Sequence, residues 1–285
     1  KKSAEKYVKL QKGQMQRLMT LADYKNPYLT MNPAYESAVL EVFAKLVDAG
    51  VVYRQLKPVH WSIANQTALA EAELDYEDRE DPSIFVHFDA TDSNGVAEAF
   101  GVALDETASF LIWTTTPWTL VANMAITVSP RFEYSLVKLG SHVTVIATEL
   151  LSTVAETVGM TPEVLGTTKG DVLVGLQYNH VFCDRTCPII SGDHVTLEDG
   201  TGLVHTAPGH GTDDYIVGLA NNLDIYCPVL ADGTYDETVP EFLAGLSVWD
   251  ANDVVVEHLK SSDHLCHVSM YTHSYPHDGR SKTPV

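Results

Sequence analysis

Hydrophobic and polar positions follow two different periods along this chain, and the change falls near Pro58. Ahead of it residues 2–21 have helical spacing. A second helix is predicted from Asn32 as N-cap and Pro33 in the first turn, with Val39, Val42, Phe43, Leu46 and Val47 on one face and Gly50 as its stop. Beyond Pro58 the pattern shortens into β-like runs at 84–88 (IFVHF), 109–114 (SFLIWT), 134–139 (YSLVKL), 142–147 (HVTVIA) and 172–178 (VLVGLQY), separated by Gly, Asp, Asn and Pro. Helices are predicted at 149–158, 213–222 and 251–260. Strands without regular helical crossovers predict an α+β fold rather than a doubly wound sheet.

Composition adds bounds to this picture. With 285 residues and 45% apolar content the chain can bury one or two cores, and it contains no repeat and no low-complexity segment. No apolar run is long enough to span a bilayer, and KKSAEKYVKL lacks the apolar stretch of a signal peptide, so a cytoplasmic protein with no membrane partner is expected. Four cysteines without a Cys-x-x-Cys pair are read as reduced thiols. The net charge of −20 is unevenly spread: residues 1–57 carry +5, residues 58–260 carry −25 and the remainder is neutral. That fits an acidic domain inserted between flanking segments, and equally a solvated acidic surface. It excludes a middle region that grips nucleic acid through a broad basic face.

Two stretches carry candidate chemistry. In GTGLVHTAPGHGTDDY (200–215), Thr212 is the expected N-cap, which puts Asp213 and Asp214 in a first helical turn where the dipole favours their ionised form. The inner face of that helix is expected to be Ile216, Leu219, Ala220 and Leu223. Acidic residues at a helix start need no further role on these grounds alone, and His205 and His210, five apart across Pro208, lack the i, i+4 spacing of a helical zinc site. In WTTTPWTLVAN (113–123), three hydroxyls leave a strand end where Pro117 forbids the ladder to continue. Threonines suit strands and turns, but six residues running Thr-Thr-Thr-Pro-Trp-Thr are an unusual way to build one.

Together these stretches resemble the editing domain of isoleucyl-tRNA synthetases, connective peptide 1, which is inserted in the catalytic domain of that family. The segments 26–46 (NPYLTMNPAYESAVLEVFAKL), LKPVHW, ALAEAE and 273–285 (HSYPHDGRSKTPV) are similar to the flanks of that insertion. Valyl enzymes lack the TTTPWT string and leucyl enzymes carry a Thr-Arg-Pro version, so the isoleucyl relation is preferred. The resemblance implies a barrel-like α+β editing domain over residues 66–262, a helical amino-terminal arm over 1–65 and a returning arm over 263–285. The HIGH and KMSKS strings of the synthetic site are absent, so no amino-acid activation is expected. Many family members bind zinc through two Cys-x-x-Cys pairs; here the corresponding positions are Ser62, Asn65, Asp278 and Ser281, and neither metal nor cofactor is expected. Gly279 stands where the family usually has tryptophan.

The family roles transfer onto named positions. Asp214 would pair with the α-ammonium of the misattached amino acid, and Thr116 and Asn123 would hold the terminal ribose and place a water against the ester carbonyl. These three are the candidate catalytic residues. His205 would be the wall that rejects isoleucine, with Thr114, Thr115, Trp118, Ala207, Gly209, His210 and Asp213 as further substrate-binding positions. The implied activity is deacylation of valyl-tRNA(Ile) by a monomer whose partners are the tRNA 3′ end carrying valine and the remainder of the synthetase. The alternatives are a non-catalytic module that only holds the aminoacylated end, a structural insertion, or the editing domain of a related valyl or leucyl enzyme.

Overall fold

Residues 1–285 are described in a computed structural model and separate into two units, Lys1–Leu56 and Lys57–Val285. The first unit is helical, with α1 (Lys2–Arg17) ending four residues short of the expected limit and α2 (Pro33–Asp48) starting where predicted. Asn32 Oδ1 accepts the Ala34 N–H at 3.1 Å, and Gly50 leaves the helix with φ of 69°. The apolar face of α2 lies exposed within this unit. No helix of the chain is long and apolar enough to cross a membrane.

The second unit starts with a small hairpin, β1 (Trp61–Ser62) and β2 (Thr67–Ala68), and continues through β3 (Leu74–Asp89), α3 (Ser93–Phe100) and β4 (Ala108–Thr114). A 3₁₀ turn over Pro117–Ala122 then leads into β5 (Ala125–Val128), β6 (Glu133–Leu139) and β7 (His142–Ala147). After α4 (Leu151–Val158) come β8 (Glu163–Lys169), the single-turn α5 (Gly170–Leu173), β9 (Gln177–Asn179) and β10 (Thr186–Ser191). β11 (Leu203–Thr206), α6 (Thr212–Ala220), α7 (Val248–Ser261) and β12 (Leu265–Asp278) complete the chain.

Six strands form one sheet in the order β12-β3-β4-β7-β6-β8, and four form another in the order β11-β5-β10-β9. Only the β4–β7 and β5–β10 pairings are parallel, in keeping with an α+β fold. β8 and β12 end the first sheet and β9 and β11 the second, so neither closes on itself. The barrel-like architecture expected for the middle of the chain is therefore corrected to two open sheets. Their shared core is built from inward residues such as Phe88, Phe110, Ile112, Leu136, Val145, Tyr178 and Leu203. Four of the five strand runs read from the pattern are strands; the run at 172–178 is not. There Leu173 is buried while Val172 and Val174 are exposed, so the stretch presents one inward side chain from a helical turn before β9 begins.

A second correction concerns α6. Gly211, not Thr212, is its N-cap, and its buried residues are Tyr215, Val217 and Gly218, whereas Ile216 and Leu219 are exposed. Gly218 explains the rotation: a Cβ there would lie 2.7 Å from Pro208 Cγ, so the helix approaches the preceding turn through its glycine.

Candidate active site

β4 delivers Thr114 to the end of the first sheet, and Pro117 then turns the chain so that the 3₁₀ turn places Thr119 and Asn123 beside β11 of the second sheet. His205 lies in β11, opposite Ile126 of β5. Asn123 is fully buried and every polar atom of its side chain is engaged. Nδ2 donates to the Ala125 carbonyl at 2.9 Å and to His205 Nδ1 at 2.8 Å, while Tyr178 OH donates to Oδ1 at 2.5 Å. A carbonyl can only accept, so the amide orientation is fixed, and with it the histidine tautomer. His205 must carry its proton on Nε2, from which it donates to Thr119 Oγ1 at 3.0 Å; Thr119 in turn donates to the Thr116 carbonyl at 2.9 Å.

Burial pushes the His205 pKa down to about 3, reinforced by His210 and His180, so the ring is neutral at pH 7 with both nitrogens occupied. Thr114 Oγ1 accepts the Thr116 N–H at 3.1 Å, and the hydroxyls of Thr114 and Thr116 are 3.2 Å apart. Thr116 Oγ1 also lies 3.4 Å from Thr119 Oγ1, whose last acceptor site it fills, and one acceptor site of Thr116 is left for a ligand. Trp118 packs edge-to-face on His210 with ring centroids 5.1 Å apart, and its backbone N–H donates to Asn252 Oδ1 at 3.1 Å. The His210 Nε2 is buried without a partner, and burial lowers its pKa to about 4.

Asp214 reaches the same region by a different route. Its Oδ2 accepts the Ala207 N–H at 2.8 Å, two residues beyond His205, which ties the first turn of α6 to the end of β11. Burial raises the Asp214 pKa and so opposes the charge that the helix start favours, while the Ala207 N–H and the charge of His194 lower it. Asp213, one residue earlier, is exposed and joins none of these bonds. Thr115 is half-buried between Thr114 and Thr116. Gly209 owes its identity to the Tyr226 carbonyl, which a Cβ would approach to 2.2 Å. Thr114, Thr116, Thr119, Asn123, His205, His210, Trp118, Ala207 and Asp214 therefore come together, and Thr115 and Asp213 make no bond to them. Sequence reasoning missed Thr119, although it lies inside the motif, and also Tyr178, Arg185 and Asn252, which stand far along the chain from the residues they hold.

The four positions that the sequence resemblance aligns with a zinc site, Ser62, Asn65, Asp278 and Ser281, also converge. Ser62 Oγ, Asn65 Nδ2 and Ser281 Oγ donate to Asp278 Oδ2 at 2.5, 2.7 and 3.0 Å, and Arg280 N–H donates to Oδ1 at 2.8 Å. These donors hold the buried Asp278 carboxyl far below the usual carboxylate range. The set has no thiolate or imidazole, and its one carboxylate is already saturated, so it does not fit zinc. Gly279 lies beside it with its N–H on the Glu73 carbonyl at 2.9 Å, where a Cβ would also come within 2.9 Å of that oxygen. That close approach leaves no room for a larger residue on the same backbone path.

Residues 1–268 match the family model described as tRNA synthetases class I (I, L, M and V), and the chain belongs to that family. Within it, the chain is 44% identical over 280 residues to the isoleucine–tRNA ligase of Brevibacillus brevis, covering 98% of this chain and 29% of that protein. It is 43% identical over 282 residues to the isoleucine–tRNA ligase of Carboxydothermus hydrogenoformans, covering 99% of this chain and 30% of that protein. The chain thus spans less than a third of the length of the curated relatives it matches. Its fold is similar to the editing domain of a cytosolic leucyl-tRNA synthetase from P. knowlesi, at 14% identity and a TM-score of 0.52, over 68% of this chain and 96% of that one.

Proposed function

We propose that residues 66–262 form the editing domain of an isoleucine-specific synthetase and hydrolyse the ester of valyl-tRNA(Ile), with residues 1–65 and 263–285 as arms leading into a catalytic domain. In this reading the domain acts in the cytoplasm within a monomeric enzyme, on a tRNA 3′ end delivered from the synthetic site. The observation that carries the reading is the neutral His205, hydrogen-bonded at both ring nitrogens to Thr119 and Asn123 of the threonine-rich segment and two residues before Ala207, whose N–H the Asp214 carboxyl accepts. The ester is already an activated acyl group, so the site needs no covalent nucleophile; it needs an anchor for the α-ammonium, a positioned water and a wall.

Asp214 supplies the anchor through the charge that remains after Oδ2 has accepted the Ala207 N–H. In this reading Thr116, with capacity to spare, holds the ribose and the attacking water, while Asn123, whose amide is fully engaged, acts on the site by fixing His205. His205, with no free lone pair and no tendency to take a proton, is a wall rather than a general base. Isoleucine exceeds valine by one methylene, worth about 1–3 kcal/mol in an apolar pocket, a range for which this amino-acid pair is itself the standard case. A second pocket that excludes the larger side chain multiplies that discrimination.

The test is a deacylation assay with valyl-tRNA(Ile) on the wild type and on Asp214→Asn, which keeps an acceptor for the Ala207 N–H while removing the charge. Turnover by the wild type and a loss of about 10²-fold in the variant are expected. Binding of the aminoacylated end without release of valine would instead mark a non-catalytic holding module.

A further inference from the structure

Asn123 is gripped from behind by a segment that the proposed reaction does not otherwise use. Between β9 and β10 the chain turns tightly, with His180 N–H on the Arg185 carbonyl at 2.9 Å and Arg185 N–H on the Cys183 carbonyl at 2.8 Å. From this turn and its leading strand three side chains reach the motif segment, and all three donate. Tyr178 OH donates to Asn123 Oδ1 at 2.5 Å, Arg185 Nη1 to the Asn123 carbonyl at 3.0 Å, and His180 Nε2 to the Leu120 carbonyl at 3.1 Å. The direction of the last bond follows from the other ring nitrogen: His180 Nδ1 accepts the Phe182 N–H at 3.1 Å, so the proton is on Nε2.

The donors are themselves rigid. Tyr178 is fully buried and its ring packs edge-on against Phe88, with centroids 5.1 Å apart, and against Phe110 at 6.4 Å. The Arg185 guanidinium lies 5.3 Å from the Tyr226 ring centroid and makes no salt bridge within a chain of net charge −20. Asn123 caps the end of the 3₁₀ turn, where its own carbonyl has no helical partner and takes Arg185 instead, while the Leu120 carbonyl accepts both the Asn123 N–H at 3.0 Å and the His180 Nε2–H.

We propose that residues 178–185 are a positioning clamp, in which Tyr178 and Arg185 fix the side chain and backbone of Asn123 and, through Asn123, the orientation of His205. The inference rests on the assignment of Asn123 to the reacting site. None of the clamp residues touches substrate; their effect passes through Asn123.

The test combines kinetics with NMR on Tyr178→Phe, which retains the packed ring, and on Arg185→Gln. Single-turnover deacylation of valyl-tRNA(Ile) is expected to slow by about 10-fold in each, with KM for the tRNA unchanged. In an Asn123→Ala background, Tyr178→Phe should cost nothing further, because the group it positions is gone. The Asn123 side-chain amide resonances should shift in Tyr178→Phe and exchange faster with solvent. A full additional loss in the Asn123→Ala background, or Asn123 amide resonances that do not move, would overturn the clamp. If Asn123→Ala deacylates normally, the assignment of Asn123 to the reacting site fails, and the NMR comparison still decides the clamp by itself.

Discussion

His205 is a polar residue that has been made inert, and the same treatment recurs. Burial lowers the pKa of His87, His180 and His205 to about 3 and that of His210 to about 4. A histidine held neutral in the folded chain refuses protons that the unfolded chain accepts below its ordinary value of 6.5. Its contribution to stability is therefore complete above pH 6.5 and is lost as pH falls towards 4 and 3, at up to about 1.4 kcal/mol per pH unit for each group. Asp214, raised instead, offsets part of one such contribution, and Asp278, lowered, acts only within and below the carboxylate range. Urea midpoints should fall steadily between pH 6.5 and 4.5, before most carboxylates titrate. A midpoint that stays constant over that interval would contradict the buried neutral state. A second prediction follows for Thr119, the hydroxyl that receives the His205 proton: Thr119→Val leaves Nε2–H without an acceptor and should lower stability by about 1–3 kcal/mol by urea titration.

At the scale of elements, packing overrides propensity in α6. Gly218→Ala should stabilise an isolated helix by about 1 kcal/mol. In the folded chain the new methyl meets Pro208 Cγ at 2.7 Å, and overpacking against a rigid ring costs about 1–3 kcal/mol, so a lower melting temperature is expected. A higher melting temperature would mean that the turn at Pro208 gives way. The same competition decides what could be read from sequence. β4, β6 and β7 are legible because each carries a run of apolar residues that is buried in the sheet centre. The first ten residues of β3 (LDYEDREDPS) are mostly polar and mostly half-buried or exposed, so the ladder they form with β12 leaves no hydrophobic alternation to read. The inner face of α6 was misread because a glycine, not an aliphatic residue, makes the close contact. Within the site, the string 113–123 and residues 205–214 were visible as unusual composition. Their partners Tyr178, Arg185 and Asn252 were not, since nothing local distinguishes a residue whose only special feature is a bond to a distant segment.

For the whole molecule, the charge distribution sets how the tRNA of the proposed reaction would be met. Residues 58–260 carry −25 against +5 in residues 1–57, and phosphate contacts depend on cations. Uncharged tRNA should bind the chain at physiological salt with a dissociation constant weaker than about 1 μM, productive capture depending on the aminoacylated end; tighter binding in a filter assay would show an unrecognised phosphate surface. The central claim concerns that end. Initial deacylation rates of valyl-tRNA(Ile) and isoleucyl-tRNA(Ile), measured on the wild type and on His205→Ala, test it most directly. The wild type should release valine and spare isoleucine. In His205→Ala the preference for the valyl ester should shrink by on the order of 10-fold or more, as isoleucine gains the space of the ring. Loss of about 10²–10⁴-fold on both esters with their ratio unchanged would make His205 a general base and contradict the size filter.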